Sequence, residues 1–173
     1  MRLAFLAGVI GATMISTPAL ALCSYGGVEN ARTTVAREFH DSRWVARVRI
    51  VSEKNNFAAA DQSEDAPWSL YELQMIRAYK GQPPETLHFF TYRNCAGFYF
   101  DKPWAGPDIG GEYLVFLNPT QTYPSQPSME KATVFVNYAC GQSKPWTEVS
   151  PDDLKSLRRL ADLEPRMNAN KRE

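Results

Sequence analysis

Histidine is almost missing from this chain. His40 and His88 are the only two in 173 residues, they lie in separate segments, and neither stands with a cysteine or carboxylate at a metal-ligand spacing, so no intrinsic zinc site is expected. Asp61, Glu64 and Asp65 share one loop but lack a glycine-centred calcium spacing, and they read as solvated charges. There is no Gly-x-Ser-x-Gly elbow, phosphate loop or paired-acid motif, which makes an enzyme the least favoured class and leaves no cofactor to expect. Net charge is absent as well. Lys and Arg total 19 and Asp and Glu total 19, so nothing draws the chain to nucleic acid or to an anionic membrane. Cysteine is scarce and odd in number: Cys23, Cys95 and Cys140 permit one disulfide and leave one thiol over.

What is present begins at the N-terminus. Met1-Arg2 supplies a positive start, "LAFLAGVIGATMIST" an apolar run short and rich in small residues, and Ala19-Leu20-Ala21 a small-x-small cleavage site. Residues 1–21 are therefore expected to be a signal peptide, with a secreted or periplasmic product and no membrane span after cleavage. Pro18 counts against an uncleaved span. Leu22 stands where a lipoprotein needs a small residue before the acylated cysteine, so lipidation is not expected. Cutting after Ala21 leaves 173 − 21 = 152 residues, enough for one domain with a real core. Without Arg2 the balance is 18 basic against 19 acidic side chains. The domain is expected over 22–165, followed by a polar tail at 166–173.

Strand periodicity dominates that domain. In "SRWVARVRIVSE", Trp44, Ala46, Val48 and Ile50 share one face and Arg47 and Arg49 the other, the period of a half-buried strand. "SLYELQMIRAYKG" alternates through Tyr71, Leu73 and Met75 and stops at Gly81 and Pro83-Pro84. "TLHFFTYR" and "ATVFVNY" are β-rich, and "EYLVFL", apolar without alternation, reads as a strand buried on both faces. Two helices are expected to flank them. One is "VENARTTVAREF", with Val28, Ala31, Val35 and Phe39 in a stripe. The other is "SPDDLKSLRRLADL", with Ser150 as cap, Pro151 in the first turn, Asp152 and Asp153 at the positive end, Leu154, Leu157, Leu160 and Ala161 facing inward, and Pro165 just past its end. Trp68, Trp104 and Trp146 lie beside or one loop from prolines, which suits packing over recognition. The fold class expected is mainly β: a five-stranded OB-type barrel with an N-terminal and a C-terminal helix.

Five segments in order resemble the netrin-like module of tissue inhibitors of metalloproteinases. "LYELQMIRAYKG" is similar to the module's second-strand motif, and "EFHDSRWVARVRIVS" to its first strand. "TYRNCAG" resembles its Cys-Gly segment with Ala96 inserted, "GGEYLVFL" its glycine-led strand, and "YACGQSKPWTEVSPDDLKSLRR" its final cysteine, Pro-Trp and closing helix. The match runs from Cys23 to about Arg159. The chain departs from the family at its opening Cys-x-Cys pair, here Cys23-Ser24-Tyr25, and at His40, where another family cysteine stands. It also lacks a C-terminal subdomain, as single-domain bacterial relatives do.

The resemblance implies a disulfide from Cys23 to Cys95, with Cys140 unpaired because Tyr25 replaces its partner; the competing register joins Cys23 to Cys140 and frees Cys95. It also implies a protein partner, with a zinc metalloprotease as the sharpest candidate. In that mechanism the α-amine and carbonyl of an N-terminal cysteine chelate the protease's zinc, and the next side chain enters the specificity pocket. Those roles fall to Cys23 and Ser24, and they need Cys23 to come first. Leu22 left in front by signal peptidase turns the amine into an amide that cannot ligate. The alternative is an envelope-associated structural or interaction protein without protease inhibition.

Overall fold

A computed structural model describes residues 23–56, 66–94, 97–102, 105–120 and 132–169, the last helix with side chains to residue 164. Its elements are β1 (Ser24–Tyr25), β2 (Val28–Glu29), α1 (Val35–Asp41), β3 (Trp44–Asn55), β4 (Trp68–Lys80), β5 (Thr86–Tyr92), β6 (Asp101–Lys102), β7 (Gly106–Pro107), β8 (Glu112–Pro119), β9 (Val134–Val136), β10 (Lys144–Pro145) and α2 (Pro151–Ala169). The main sheet runs β10-β8-β3-β4-β5-β9, and an additional β8–β9 pairing closes β8, β3, β4, β5 and β9 into a five-stranded barrel. Among the described residues only the β5–β9 contact is parallel, at Phe89 opposite Val134. The protein is thus mainly β, with a closed barrel and two helices, an arrangement that fits an OB-type fold.

The alternation read from the sequence sets the inner face. Ala46, Val48 and Ile50 of β3, Tyr71 and Leu73 of β4, and Leu87 and Phe89 of β5 enter one core with Tyr113, Val115 and Leu117 of β8. At its centre the fully buried Phe100 meets Tyr71, Phe89, Phe98 and Tyr113 edge-on, with ring centroids 5.0–5.2 Å apart. That is the favoured geometry for ring quadrupoles, with the positive edge of one ring against the negative face of the next.

Strand β8 has no solvent face. Its other side, Leu114 and Phe116, joins Val45 and Tyr79 in a second core covered by Val35 and Phe39 of α1 and Leu157 of α2. Its unbroken apolar run is explained by these two cores, one on each side of the strand. Trp146 packs there too, stacked on Tyr79 at 6.5 Å with the Arg47 guanidinium 4.2 Å from its ring. Trp68 lies against Phe90 at 5.7 Å, whereas Trp104, like Asp61, Glu64 and Asp65, falls outside the described residues.

The first helix is shorter than expected. Val28 is 60% exposed on a hairpin, because Gly26, Gly27 and Asn30 take positive φ (58°, 81° and 49°), incompatible with a right-handed helix. The helix starts only after Thr34, whose hydroxyl accepts from the Arg37 amide at 3.2 Å. The second helix opens as expected: the Asp153 amide donates to Ser150 Oγ and the Ser150 amide to Asp153 Oδ2, both at 3.1 Å. It then runs on through Pro165 to Ala169, so Pro165 lies within the helix and not, as expected, just past its end. No helix among the described residues is long and apolar enough to cross a membrane.

Candidate functional site

The N-terminal edge is built on Cys23. Its side chain is bonded to Cys140, with Cα atoms 6.1 Å apart and 117 positions between them, within the span a disulfide bridges. This corrects two expectations. Cys23 does not pair with Cys95, and Cys140 is not the spare thiol, because the turn after β9 brings Cys140 beneath the N-terminal hairpin and Tyr25 packs beside the bond. Cys95 itself lies outside the described residues.

Around that bond the chain makes a tight hairpin. A Gly-Gly pair between two short strands is a hairpin signal legible in the sequence. Among the described residues, strands β1 and β2 pair only with each other, and the Asn30 amide donates to the Cys23 carbonyl at 2.6 Å. The Cys23 amide donates in turn to Asn30 Oδ1 at 3.4 Å. Both backbone atoms that a terminal chelate would use are therefore turned inward on Asn30. Ser24 and residues 26–30 are exposed.

Tyr25 is the hairpin's non-covalent anchor. It is 8% exposed, its ring lies 5.0 Å from that of Tyr138 with the Arg37 guanidinium on it at 4.9 Å, and its hydroxyl donates to Asp41 Oδ2 at 2.5 Å while accepting from Asn137 Nδ2 at 3.4 Å. Burial, with Asp41 beside it, holds the phenol above its ordinary pKa. Asp41 in turn is held below the usual carboxylate range by hydrogen bonds from His40 and Tyr25.

Beneath the hairpin lies an open cleft of about 490 Å³, lined by Asn30, Arg32, Thr33, Tyr138, Cys140 and Gln142 among others. Its two walls are joined by Glu38 of α1, a fully buried carboxyl. Glu38 Oε1 accepts from the Thr33 hydroxyl at 2.5 Å and the Gln142 amide at 2.9 Å, and Gln142 Nε2 donates to the Thr33 carbonyl at 2.9 Å. Glu38 Oε2 and the Tyr138 hydroxyl are buried without a hydrogen-bond partner. Burial pushes the Glu38 carboxyl up, against the two hydrogen bonds that favour its charged form. Sequence reading missed Glu38, because a glutamate in a short helix looks like any surface acid.

A second, part-buried polar cluster gathers on Arg93. Arg93 donates to both oxygens of Asp101, to Glu53 Oε1 at 3.1 Å, to the Tyr71 hydroxyl at 2.8 Å and to Ser69 Oγ at 2.9 Å. The Tyr71 hydroxyl donates to Asp101 at 2.8 Å, and burial with that contact pushes its pKa up. These groups satisfy one another, so the cluster fixes the chain between β5 and β6. Compared with known proteins, the chain matches no family model and no curated sequence.

Proposed function

We propose that the protein is an exported binding module of the netrin-like, metalloproteinase-inhibitor type, and that its hairpin at residues 24–30 is the edge offered to a protein partner. One observation carries this reading. Apart from Tyr25 the hairpin is exposed, yet it is fastened to the barrel by a covalent bond and by Tyr25. An edge held in place before contact loses little conformational entropy on binding. The five-segment resemblance and the closed barrel support the family assignment; the fold alone would not assign a function.

The test compares the intact protein with Val28→Asp, which puts a charge on the most exposed apolar side chain of the hairpin without touching the barrel. Loss of partner capture from an envelope extract, with unchanged thermal unfolding, supports the edge. Equal capture by both forms refutes it.

The sharper reading, zinc metalloprotease inhibition through Cys23 and Ser24, is favoured by Ser24 standing exposed directly after a disulfide-anchored cysteine. It requires Cys23 to be terminal and to give up its two contacts with Asn30. Protein beginning at Cys23 should inhibit members of a metalloprotease panel, and protein beginning at Leu22 should not. Equal inhibition by both forms removes chelation as the mechanism, and inhibition by neither leaves the plain binding module.

A further inference from the structure

We propose that the Cys23–Cys140 bond is an exchangeable clamp, opened by thiolate attack on Cys140 Sγ from the cleft side by a dithiol of small molecular size or carried on a protein loop. The two halves of the bond differ in access. Cys140 is exposed and lines the cleft of about 490 Å³, whereas Cys23 is 5% exposed and packed with Tyr25 and Tyr138. Attack at sulfur proceeds in line with the bond being broken, so the reachable sulfur is the one struck and the buried one leaves. Arg32, in the same cleft wall, offers a positive charge to the incoming thiolate.

The step balances without a further reagent. The attacking thiolate forms a bond to Cys140 Sγ as the bond to Cys23 Sγ breaks, and Cys23 leaves as thiolate and takes a proton from solvent. The second thiol of the reagent, deprotonated, then attacks its partner sulfur in the mixed disulfide and releases Cys140 as thiolate, which is protonated in turn. Two electrons pass from the dithiol, now a disulfide, to the protein.

The structural consequence is local. Among the described residues, the β1–β2 hairpin forms a sheet of its own, with no strand pairing to the barrel. Apart from the disulfide it is held mainly through Tyr25. The cleft walls beneath it stay joined by Glu38 and by the Gln142–Thr33 hydrogen bond. Reduction therefore leaves residues 23–30 held mainly by Tyr25, so that they open more often, and leaves the barrel closed. If the hairpin is the contact edge proposed above, reduction also governs binding; the chemistry itself does not depend on that reading and is measured without a partner.

The experiment uses the whole secreted protein. Limiting reduced glutathione traps the mixed disulfide, N-ethylmaleimide blocks free thiols, and mass mapping locates each adduct. Glutathione should sit on Cys140 and maleimide on Cys23, in about tenfold excess over the reverse arrangement. Adduct mainly on Cys23, or equally on both, overturns the directed attack. A Cys95→Ser variant repeats the mapping with the third thiol removed; should it fail to fold, the adduct positions in the parent protein decide. Full reduction with dithiothreitol should then raise hydrogen exchange at residues 23–30 by at least about tenfold while the amides of β3, β4 and β8 keep their protection. Loss of protection throughout the barrel, or retained protection in the hairpin, overturns the clamp.

Discussion

Gly141 lies so close to Glu38 that replacing it with alanine has a calculable cost. A Cβ there would fall on Glu38 Oε1, with Cδ and Oε2 each only 2.7 Å away. The carboxyl must move, but it is fully buried and cannot reach water. Moving it breaks the hydrogen bonds from Thr33 and the Gln142 amide. At about 1 kcal/mol for each bond, and about 1 kcal/mol more for the buried group left unsatisfied, Gly141→Ala should cost about 3 kcal/mol. For a chain of this length that is roughly 6–12 °C in Tm. Urea unfolding of Gly141→Ala, Glu38→Ala and the double variant closes a cycle: with the carboxyl gone, the new methyl has room, so the pair should couple by nearly the whole cost of the glycine change, about 3 kcal/mol. A Gly141→Ala variant within about 0.5 kcal/mol of the parent refutes the packing argument.

The same carboxyl sets a pH dependence of definite sign. Glu38 is raised above its ordinary 4.5 chiefly by burial, with Asp41 adding to the rise and Lys144 opposing it. The folded state therefore holds the proton more tightly than the unfolded state. The stability this contributes is present in full below the ordinary value and is lost as pH rises through the folded value. Asp41, held low, acts in the opposite sense and only in acid, its contribution being lost as pH falls through its folded value. Glu38→Gln should flatten the decline above 4.5 and leave the acid limb in place; an unchanged slope would mean that Glu38 does not carry it.

Three further outcomes follow from particular contacts. Phe100→Ala removes the ring that four others meet edge-on and should cost about 3–5 kcal/mol by denaturant titration; less than about 1 kcal/mol would mean the core closes without it. Arg93→Leu leaves Asp101 and Glu53 without their shared cation and should cost about 3–5 kcal/mol, whereas parent-like unfolding would show the cluster is not held by that charge. Mass mapping of non-reduced peptides should find Cys23 linked to Cys140, and a Cys23–Cys95 link would reverse the pairing described above.

Much of the barrel was legible because its signal is periodic. Ala46, Val48 and Ile50 alternate with arginines, and the unbroken "EYLVFL" announces a strand with two apolar surroundings, which is how β8 sits. The first helix was over-read because Val28, Ala31, Val35 and Phe39 have helical spacing, while the positive φ of Gly26, Gly27 and Asn30 carries no hydrophobic signature. The disulfide was misassigned for a different reason. A pairing depends on where two distant turns meet, and neither composition nor spacing encodes that. Glu38 was invisible on the same ground, since its importance comes from Thr33 and Gln142 converging on it from separate elements.

Strand β8 also decides the order in which the molecule can assemble. Strands β3, β4 and β5 pair with sequence neighbours, so that meander can form by local zipping. Strand β8 must return to β3 across 112 − 49 = 63 to 117 − 44 = 73 positions, and the chain entropy of that closure is lost before any contact repays it. When it arrives, its alternate side chains complete the barrel interior and the layer beneath the helices in the same event. Neither core can mature ahead of the other, so a single late docking step should make folding slow and all-or-none, with the meander as the structure on which the rest condenses.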